Sequence, residues 1–451
     1  MTIFSGPFLT DLDSRAEVKG SRDPLGIQSI WTRFGRQVIG NLTNASSSVR
    51  DFTVLLLGHH FAAQVAEVVG PGTELATFMK WEQLASYARG HINQDWIFRG
   101  TERARANFQE GVVTLSAQPA FQTLSSQKLY GIWGLYSMPG RASGLLEGDP
   151  ARLTAPAREF IEKFYLPQLS KAGVREDKRI VELLAKDQSR IDPDQKRDRA
   201  LLSAVAGLLK SEFPVQEREF YRHHLLFGGP QDDTEARQRQ LADLITPMLS
   251  DPEFPWSPSV INALAKEAEV NGESWHQLAF RLRRIAAAER VLAPTSDLFS
   301  YLLGCDEVST VDIAKRIKSN DGWGNRVTTL DIQEFIGLET EFAHGDKEAG
   351  QRWMGIAHAM TQGDYGTLVT LLIQQNKAVM QARGGAAWIE EQNGKLRVRV
   401  SKRKPWRTSR RCCSIYPRRT SNGPWFGAIL RSSIIGTVFF VVTASFVTGH
   451  Y

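Results

Sequence analysis

Apolar residues recur at helical spacing along most of this chain, and that pattern limits the folds open to it. In residues 25–42 the large apolar side chains return every three or four positions, while arginines take the opposite side. Similar segments follow as far as residue 383, separated by short loops rich in Gly, Pro, Ser or Asn. Amphipathic segments joined in this way are typical of all-α proteins. The sequence therefore predicts a mainly α, multi-helical protein.

Proline and glycine mark the boundaries between the predicted regions. A Gly-Pro-Gly run at 70–72 ends the second helix, and a proline-rich break at 252–258 precedes the last helical array. The predicted regions are an N-terminal helical region, 1–72; a winged-helix-like module with a small β-hairpin, 73–170; a helical linker or subdomain, 171–251; an all-α C-terminal domain, 252–387; a terminal hairpin, 388–400; and a tail, 401–451.

The net charge of +6 comes from the C-terminal part of the chain. Residues 392–451 hold twelve of the 55 basic residues and none of the 49 acidic ones, which leaves 43 basic and 49 acidic residues in 1–391. Such a body lacks the excess of Lys and Arg that draws a whole protein to nucleic acid, although a local basic patch remains open. Before residue 400 the only cysteine is Cys305, and no leader pattern begins the chain, so we expect a reducing, cytoplasmic location.

Residues 122–165 combine a helix, a tight hairpin and a second helix. The segments that predict this order are a helix at 125–136, a strand at 144–146, a turn at 148–150 and a return strand at 152–154. Thr154 and Pro156 suit the start of the next helix. Within residues 74–165 the order is similar to the wing and following helix of MarR- or PadR-like winged-helix proteins.

That resemblance implies a DNA-binding role, because in DNA-binding winged-helix proteins the third helix enters the major groove. The residues that would contact DNA are Ser126, Gln127, Lys128, Arg141 and Arg152. The predicted helix is nevertheless mostly apolar and contains two glycines, each costing about 1 kcal/mol relative to Ala. This composition favours packing on protein. We therefore expect a protein partner first and DNA second.

Two other groups of charged residues are candidates for function. Glu219 and His223 would share one helix face, with His224 beside them, but no nucleophile or metal-ligand spacing accompanies the group. A hydrolase or nuclease using these residues is the less favoured alternative. A secondary basic face consists of Arg281, Arg283, Arg284 and Arg290 on one predicted helix, and suits either solvent or contact with phosphate or an acidic partner.

The character of the chain changes at residue 388. An Asn393–Gly394 turn between short strands predicts a terminal β-hairpin. The tail at 401–451 is basic at first and then apolar, with no acidic residue. It is open to three interpretations: a non-native or degenerate sequence, a membrane anchor through 426–447, or a disordered basic tail.

The sequence as a whole predicts a non-catalytic binding subunit or adaptor. The winged-helix resemblance implies a place in a bacterial DNA-processing or phage-defence assembly, with a protein partner and DNA as a second ligand. The alternatives are a tail-anchored membrane scaffold and the hydrolase or nuclease described above. No motif implies a cofactor, a metal ion or a small-molecule ligand.

Overall fold

The computed structural model describes residues 23–43, 46, 48–109, 111–170, 175–226, 237–250, 258–319, 335–343 and 347–399. These residues are mainly helical, and their named strands form two-stranded antiparallel sheets. The mainly α fold predicted from the sequence is therefore confirmed. The described residues divide into two compact units: the central unit, 38–250, and the terminal unit, 23–37 with 258–399.

The elements are numbered along the chain. The terminal unit begins with α1 (Ile27–Arg36). The helices of the central unit are α2 (Val49–Val69), α3 (Glu74–His91), α4 (Thr101–Gln109), α5 (Gln127–Tyr130), α6 (Ile132–Ala142), α7 (Ala155–Phe160), α8 (Leu166–Leu169), α9 (Glu176–Ala185), α10 (Lys196–Leu208), α11 (Val215–Tyr221) and α12 (Arg237–Ile245). The terminal unit continues with α13 (Pro258–Val270), α14 (His276–Leu302), α15 (Thr310–Lys318), α16 (Glu339–Ala343), α17 (Lys347–Gln362) and α18 (Tyr365–Ala382). The strands are β1 (Val113–Ser116), β2 (Leu146–Glu147), β3 (Arg152–Leu153), β4 (Gln188–Ile191), β5 (Ile389–Gln392) and β6 (Lys395–Val398).

Helix α2 is the core helix of the central unit. The Ser48 hydroxyl caps it by accepting from the Asp51 backbone N–H at 3.3 Å, as the sequence suggests. Every side chain from Val49 to Ala62 is buried, and α3, α6 and α9 pack around the helix. The Trp81 indole of α3 donates to the Val54 carbonyl at 2.9 Å. A helix buried on all sides can lie only inside a larger unit.

Arg50, in the first turn of α2, forms a buried ion pair with Glu217 of α11. Arg50 Nη1 lies 2.5 Å from Glu217 Oε1, and the two side chains are 6% and 2% exposed. The same carboxylate oxygen accepts from the hydroxyls of Thr53 and Tyr165, and the Thr53 and Tyr221 hydroxyls lie 2.9 Å apart. Burial, first of all, raises the pKa of both tyrosines, so each stays a neutral phenol. The group ties α2 to α11 and to the segment after α7.

Asp51, the next residue, ties α2 to α3 and α6. Its Oδ1 lies 2.9 Å from Arg89 Nη1, and its Oδ2 accepts from the Tyr136 hydroxyl at 3.1 Å. Arg89 also pairs with Asp95 at 2.7 Å. One turn of α2 thus places two opposite charges in the interior, and each has a partner on a different helix.

Strands β1 and β4 pair although residues 117–187 lie between them in the chain. Val113 is opposite Ile191, and Ser116 is opposite Gln188. The sequence predicts a helical linker or subdomain over 171–251, with no strand in it. In the structure β4 alternates exposed and buried residues, with Ser189 and Ile191 inward. Because Gln188 and Arg190 are polar and face outward, the local sequence does not predict a strand here. The strand is identified by its pairing with β1.

The terminal unit packs α1 against α14 and α16. The Phe342 ring of α16 contacts Phe34 of α1, with centroids 6.1 Å apart, and also Phe335 and Trp353. Residues 23–37 therefore belong with the C-terminal helices, whereas the sequence analysis grouped them with 38–72. No local pattern in the sequence indicates this pairing of distant segments.

Helix α18 joins the start of the terminal unit to its C-terminal hairpin. The Asn376 amide donates to the Pro24 carbonyl at 2.9 Å and accepts from the Trp388 N–H at 2.8 Å. The predicted hairpin is confirmed: β5 pairs with β6 across Asn393 and Gly394, whose φ values are 52° and 73°. The interpretations of the tail, 401–451 including 426–447, concern residues outside those described here.

We expect Glu217→Ala to lower the free energy of unfolding of the central unit by about 3–5 kcal/mol, because the variant leaves the Arg50 guanidinium buried without its carboxylate. The double variant Arg50→Met/Glu217→Leu removes both charges, so its loss should be smaller. Native-state hydrogen exchange of the α2 amides measures both effects. A double variant no more stable than Glu217→Ala would contradict this view of the pair.

Candidate interaction surface

The helix predicted at 125–136 is two helices, α5 and α6, which meet at Gly131. Gly131 has an extended backbone, with φ −83° and ψ −175°. A Cβ at this position would lie 2.7 Å from Glu82 Oε2 and closer still to the Gln127 carbonyl, so a larger residue does not fit without a shift. Glycine is required here by close approach, and the chain turns between the two helices.

A buried carboxylate, Glu82 of α3, fixes the start of α6. Its Oε1 accepts from the Ile132 N–H at 2.8 Å, and its Oε2 accepts from Gln127 Nε2 at 2.8 Å. A negative charge suits a helix N-terminus, where backbone N–H groups lack helical partners. Burial raises the pKa of Glu82 to about 7, although both hydrogen bonds act to lower the pKa.

Gln127, a candidate for DNA contact, faces the protein interior. It is 0% exposed, and its Nε2 also donates to the Met79 carbonyl at 2.8 Å. Its Oε1 accepts from Gln83 at 3.1 Å, and Gln83 in turn bonds to the backbone of Ser116 in β1. The amide of Gln127 thus holds α5 on α3 and is not presented to a ligand.

The outer side of α5 and α6 exposes a group of apolar side chains. Leu129, Tyr130 and Met138 are 59%, 55% and 63% exposed, and Leu135 is half-buried. Leu135 and Met138 share a helix face with Gly134, whose Cβ, if present, would lie 2.6 Å from the Lys128 carbonyl. This contact brings α5 next to that face. We call Leu129, Tyr130, Leu135 and Met138 the α5–α6 surface.

On its inner side α6 packs on α2 through Trp133. The Trp133 ring stacks on His59, with centroids 5.0 Å apart, and meets the Phe78 ring edge-on at 5.1 Å. Burial lowers the pKa of His59 to about 4, so the imidazole is neutral at physiological pH. This histidine acts as an aromatic core residue.

The small predicted hairpin exists and follows α6. Leu146 pairs with Leu153 and Glu147 with Arg152, around Gly148 at φ +71°. The hydroxyl of Thr154 donates to the Gly144 carbonyl at 2.8 Å and does not cap α7, unlike the expectation from sequence. The assignment of this helix, hairpin and helix to a winged-helix fold stays a prediction.

The remaining DNA candidates surround the hairpin and the start of α5. Lys128 and Arg152 are exposed, and Ser126 is half-buried. Arg141 is half-buried and donates to the Gly148 carbonyl, so it closes the hairpin turn. Lys128 and Arg152 are thus the two candidates whose charged groups are open to solvent.

The alternative catalytic group lies on α11 and on the π-helical turn that follows it, Arg222–Leu226, where the His223 and His224 ring centroids are 5.1 Å apart. Glu219 and His223 are exposed, and His224 is half-buried with Nδ1 3.0 Å from the Ser143 carbonyl oxygen. Burial lowers the pKa of His224. Among the described residues, no group of three or more His, Cys, Asp or Glu could hold a metal ion.

A small polar cleft, which the sequence does not predict, lies beside the start of α6. It is lined by Asp51, Glu82, Arg89, Phe98 and Arg99, among others. Glu82 and Arg89 lie on α3, Phe98 and Arg99 follow that helix in the chain, and Asp51 lies on α2, so no local motif predicts the cleft. The packing of α2 on α3 brings Asp51 to the other residues.

No protein-family model, curated protein or solved structure matches this chain. Within the described residues, α2 is the one helix long and apolar enough to cross a membrane, and 67% of its most apolar stretch is buried in the protein.

The buried Glu82 predicts an unusual dependence of stability on pH. Its pKa is raised in the folded state, so the folded protein holds the proton more tightly than the unfolded chain. Its contribution is then most favourable below pH 4.5 and is lost as pH rises through about 7. Relative to Glu82→Gln, the wild type should lose about 3 kcal/mol over that interval.

Urea titrations of both proteins from pH 4 to pH 8.5 measure this difference. Glu147→Gln on the hairpin is the matched control, because it makes the same substitution at a side chain that is exposed to solvent. If the difference between wild type and Glu82→Gln were as flat with pH as that of the control, Glu82 would not carry the titration.

Proposed function

We propose that the protein is a non-catalytic binding subunit or adaptor that docks a protein partner on the α5–α6 surface. The observation that carries the proposal is the grouping of Leu129, Tyr130 and Met138, each more than half exposed, on adjacent helices. Scattered apolar residues are common on protein surfaces, whereas neighbouring ones mark interaction sites. Tyrosine and methionine are also enriched at protein interfaces.

The support beneath the surface favours a docking role. Glu82 and Gln127 fix the junction of α5 and α6 from below, and Tyr136 fixes α6 to Asp51 of α2. A surface held on buried hydrogen bonds loses little conformational entropy when a partner binds. The apolar side chains are thus presented in one arrangement.

The same geometry favours protein over DNA as the first partner. Of the residues that would read or clamp DNA, Gln127 is enclosed and Arg141 is engaged by the hairpin. Lys128 and Arg152 supply two positive charges, whereas the binding of a DNA duplex depends on neutralising several phosphates. The bacterial DNA-processing or phage-defence assembly implied by the winged-helix resemblance is where we would look for the protein partner.

A photoreactive phenylalanine analogue placed at position 130 in the full chain should form a crosslink to one partner protein in cells of the native host. The same analogue at position 97, where Ile97 is 86% exposed, is the matched control and should form no such adduct. Adding Met138→Lys should reduce the adduct at position 130 at least about tenfold, because docking would bury the new charge. The melting temperature should not change, since Met138 faces solvent.

The docking proposal would be wrong if positions 97 and 130 gave crosslinks in equal yield. It would also be wrong if Met138→Lys did not change the crosslink yield at position 130. The DNA alternative is tested by anisotropy of a labelled duplex over a salt series. Salt-dependent binding that is lost in Lys128→Ala/Arg152→Ala would make DNA the ligand of this module.

A further inference from the structure

Three arginines of the terminal unit lie where α1, α14 and α16 meet, and one of them pairs with a carboxylate. Arg33 of α1 donates through Nη2 to the Glu341 carbonyl of α16 at 2.5 Å. Arg284 of α14 forms an ion pair with the Glu341 carboxylate and donates to the Gly337 carbonyl at 3.1 Å. Arg281, one turn earlier on α14, donates to the Gln37 side-chain oxygen at 3.1 Å. The group joins α1, α14 and α16, and we call Arg33, Arg281 and Arg284 the arginine cluster.

A half-exposed aromatic ring places the cluster at the surface. The guanidinium carbons of Arg281 and Arg284 lie 5.5 Å and 5.2 Å from the centroid of the Phe280 ring, which is 49% exposed. Both arginines therefore lie beside one ring that solvent reaches. Arg36, one turn after Arg33 on α1, is exposed and adds a further positive charge on that helix.

The charges of the cluster do not balance. Among the described residues, Glu341 is the one carboxylate that pairs with the cluster, and it pairs with Arg284. Arg33 and Arg281 donate to neutral oxygens, the Glu341 backbone carbonyl and the Gln37 side chain. The Nε–H of each arginine is buried and has no partner within the described part of the chain. Burial lowers the pKa of Arg33 and of Arg284, and for Arg284 the nearby charge of Arg281 lowers it further. Like charges in this position repel one another, and an anion would offset that repulsion.

We propose that the arginine cluster is a binding site for a phosphate group. Guanidinium groups from two helices offer paired N–H donors, which match the several acceptor oxygens and the charge of a phosphate better than the two oxygens of a carboxylate. The phosphate belongs either to a free phosphorylated compound or to a nucleic-acid backbone. This site lies in a different unit from the α5–α6 surface and does not rest on the function proposed for that surface.

Arg283 supplies an internal control on the same helix. It is exposed and pairs with Glu269 of α13 at 2.5 Å, so its charge is already matched. A ligand attracted only by the general charge of α14 would respond to Arg283 as it does to Arg281. A ligand held by the cluster would depend on Arg281 and not on Arg283.

The test uses the full chain and two probes: pyrophosphate, followed by calorimetry, and a labelled 20-base-pair duplex, followed by anisotropy. Arg281→Gln should weaken binding of at least one probe about tenfold or more, the scale of a lost charged hydrogen bond. It leaves no buried carboxylate unpaired, because the partner of Arg281 is the neutral Gln37. Arg283→Gln should change affinity less than about twofold, the scale of an exposed charge.

The two probes identify the source of the phosphate. Dependence on Arg281 for pyrophosphate alone indicates a free phosphorylated ligand, and dependence for the duplex alone indicates a nucleic-acid backbone. Arg33→Gln, from the other helix, repeats the comparison if Arg281→Gln does not fold. The proposal is overturned if the wild type binds neither probe at millimolar concentration, or if Arg281→Gln and Arg283→Gln weaken binding equally.

Discussion

Two neighbouring buried charges in the first turn of α2 fix its position relative to α3, α6 and α11. Arg50 points to α11 and Asp51 to α3 and α6, so the two charges fix α2 in rotation and along its axis at once. Sliding α2 by one turn would keep its apolar side chains buried but would leave Arg50 and Asp51 unpaired in the interior. Because unpaired buried charges cost several kcal/mol, the paired arrangement excludes the alternatives.

The same constraint reaches the α5–α6 surface through two contacts. Tyr136 connects the middle of α6 to Asp51, and Glu82 connects its first residue to α3. With both points fixed, Trp133 is held against His59 on the inner side, while Leu135 and Met138 remain outside. The orientation of α6 thus follows from buried polar groups. Rotating α6 to bury Leu135 and Met138 would break the Tyr136–Asp51 and Glu82–Ile132 hydrogen bonds, so these apolar side chains stay outside.

The sequence predicts well what depends on local spacing. Helical periodicity identifies most helices, and the Asn393–Gly394 turn identifies the terminal hairpin, because a turn of that type needs residues that tolerate positive φ. It predicts poorly what depends on distant partners. Gln127 looks like a polar residue at the start of an exposed helix, and only Glu82 and Gln83 of α3 make it a core residue. From the sequence, Gly131 is an unfavourable residue inside one long helix. In the structure it separates α5 from α6, and the close approach of Glu82 leaves no room for a side chain there.

Arginine is used differently in the two units, and the difference cannot be read from composition. In the central unit Arg50 pairs with Glu217, and Arg89 pairs with Asp51 and Asp95, so each buried guanidinium has at least one carboxylate partner and its charge serves the fold. In the terminal unit, Glu341 is the one carboxylate among the described residues that pairs with the arginine cluster, although residues 1–391 hold more acids than bases. Acids were available in the chain to neutralise the cluster, as Glu269 neutralises Arg283 one helix away. The Phe34–Phe342 contact and the Arg284–Glu341 pair already hold α1, α14 and α16 together. The remaining positive charge of the cluster is therefore not needed for the packing of these helices. The charge left over is what an anionic ligand would require.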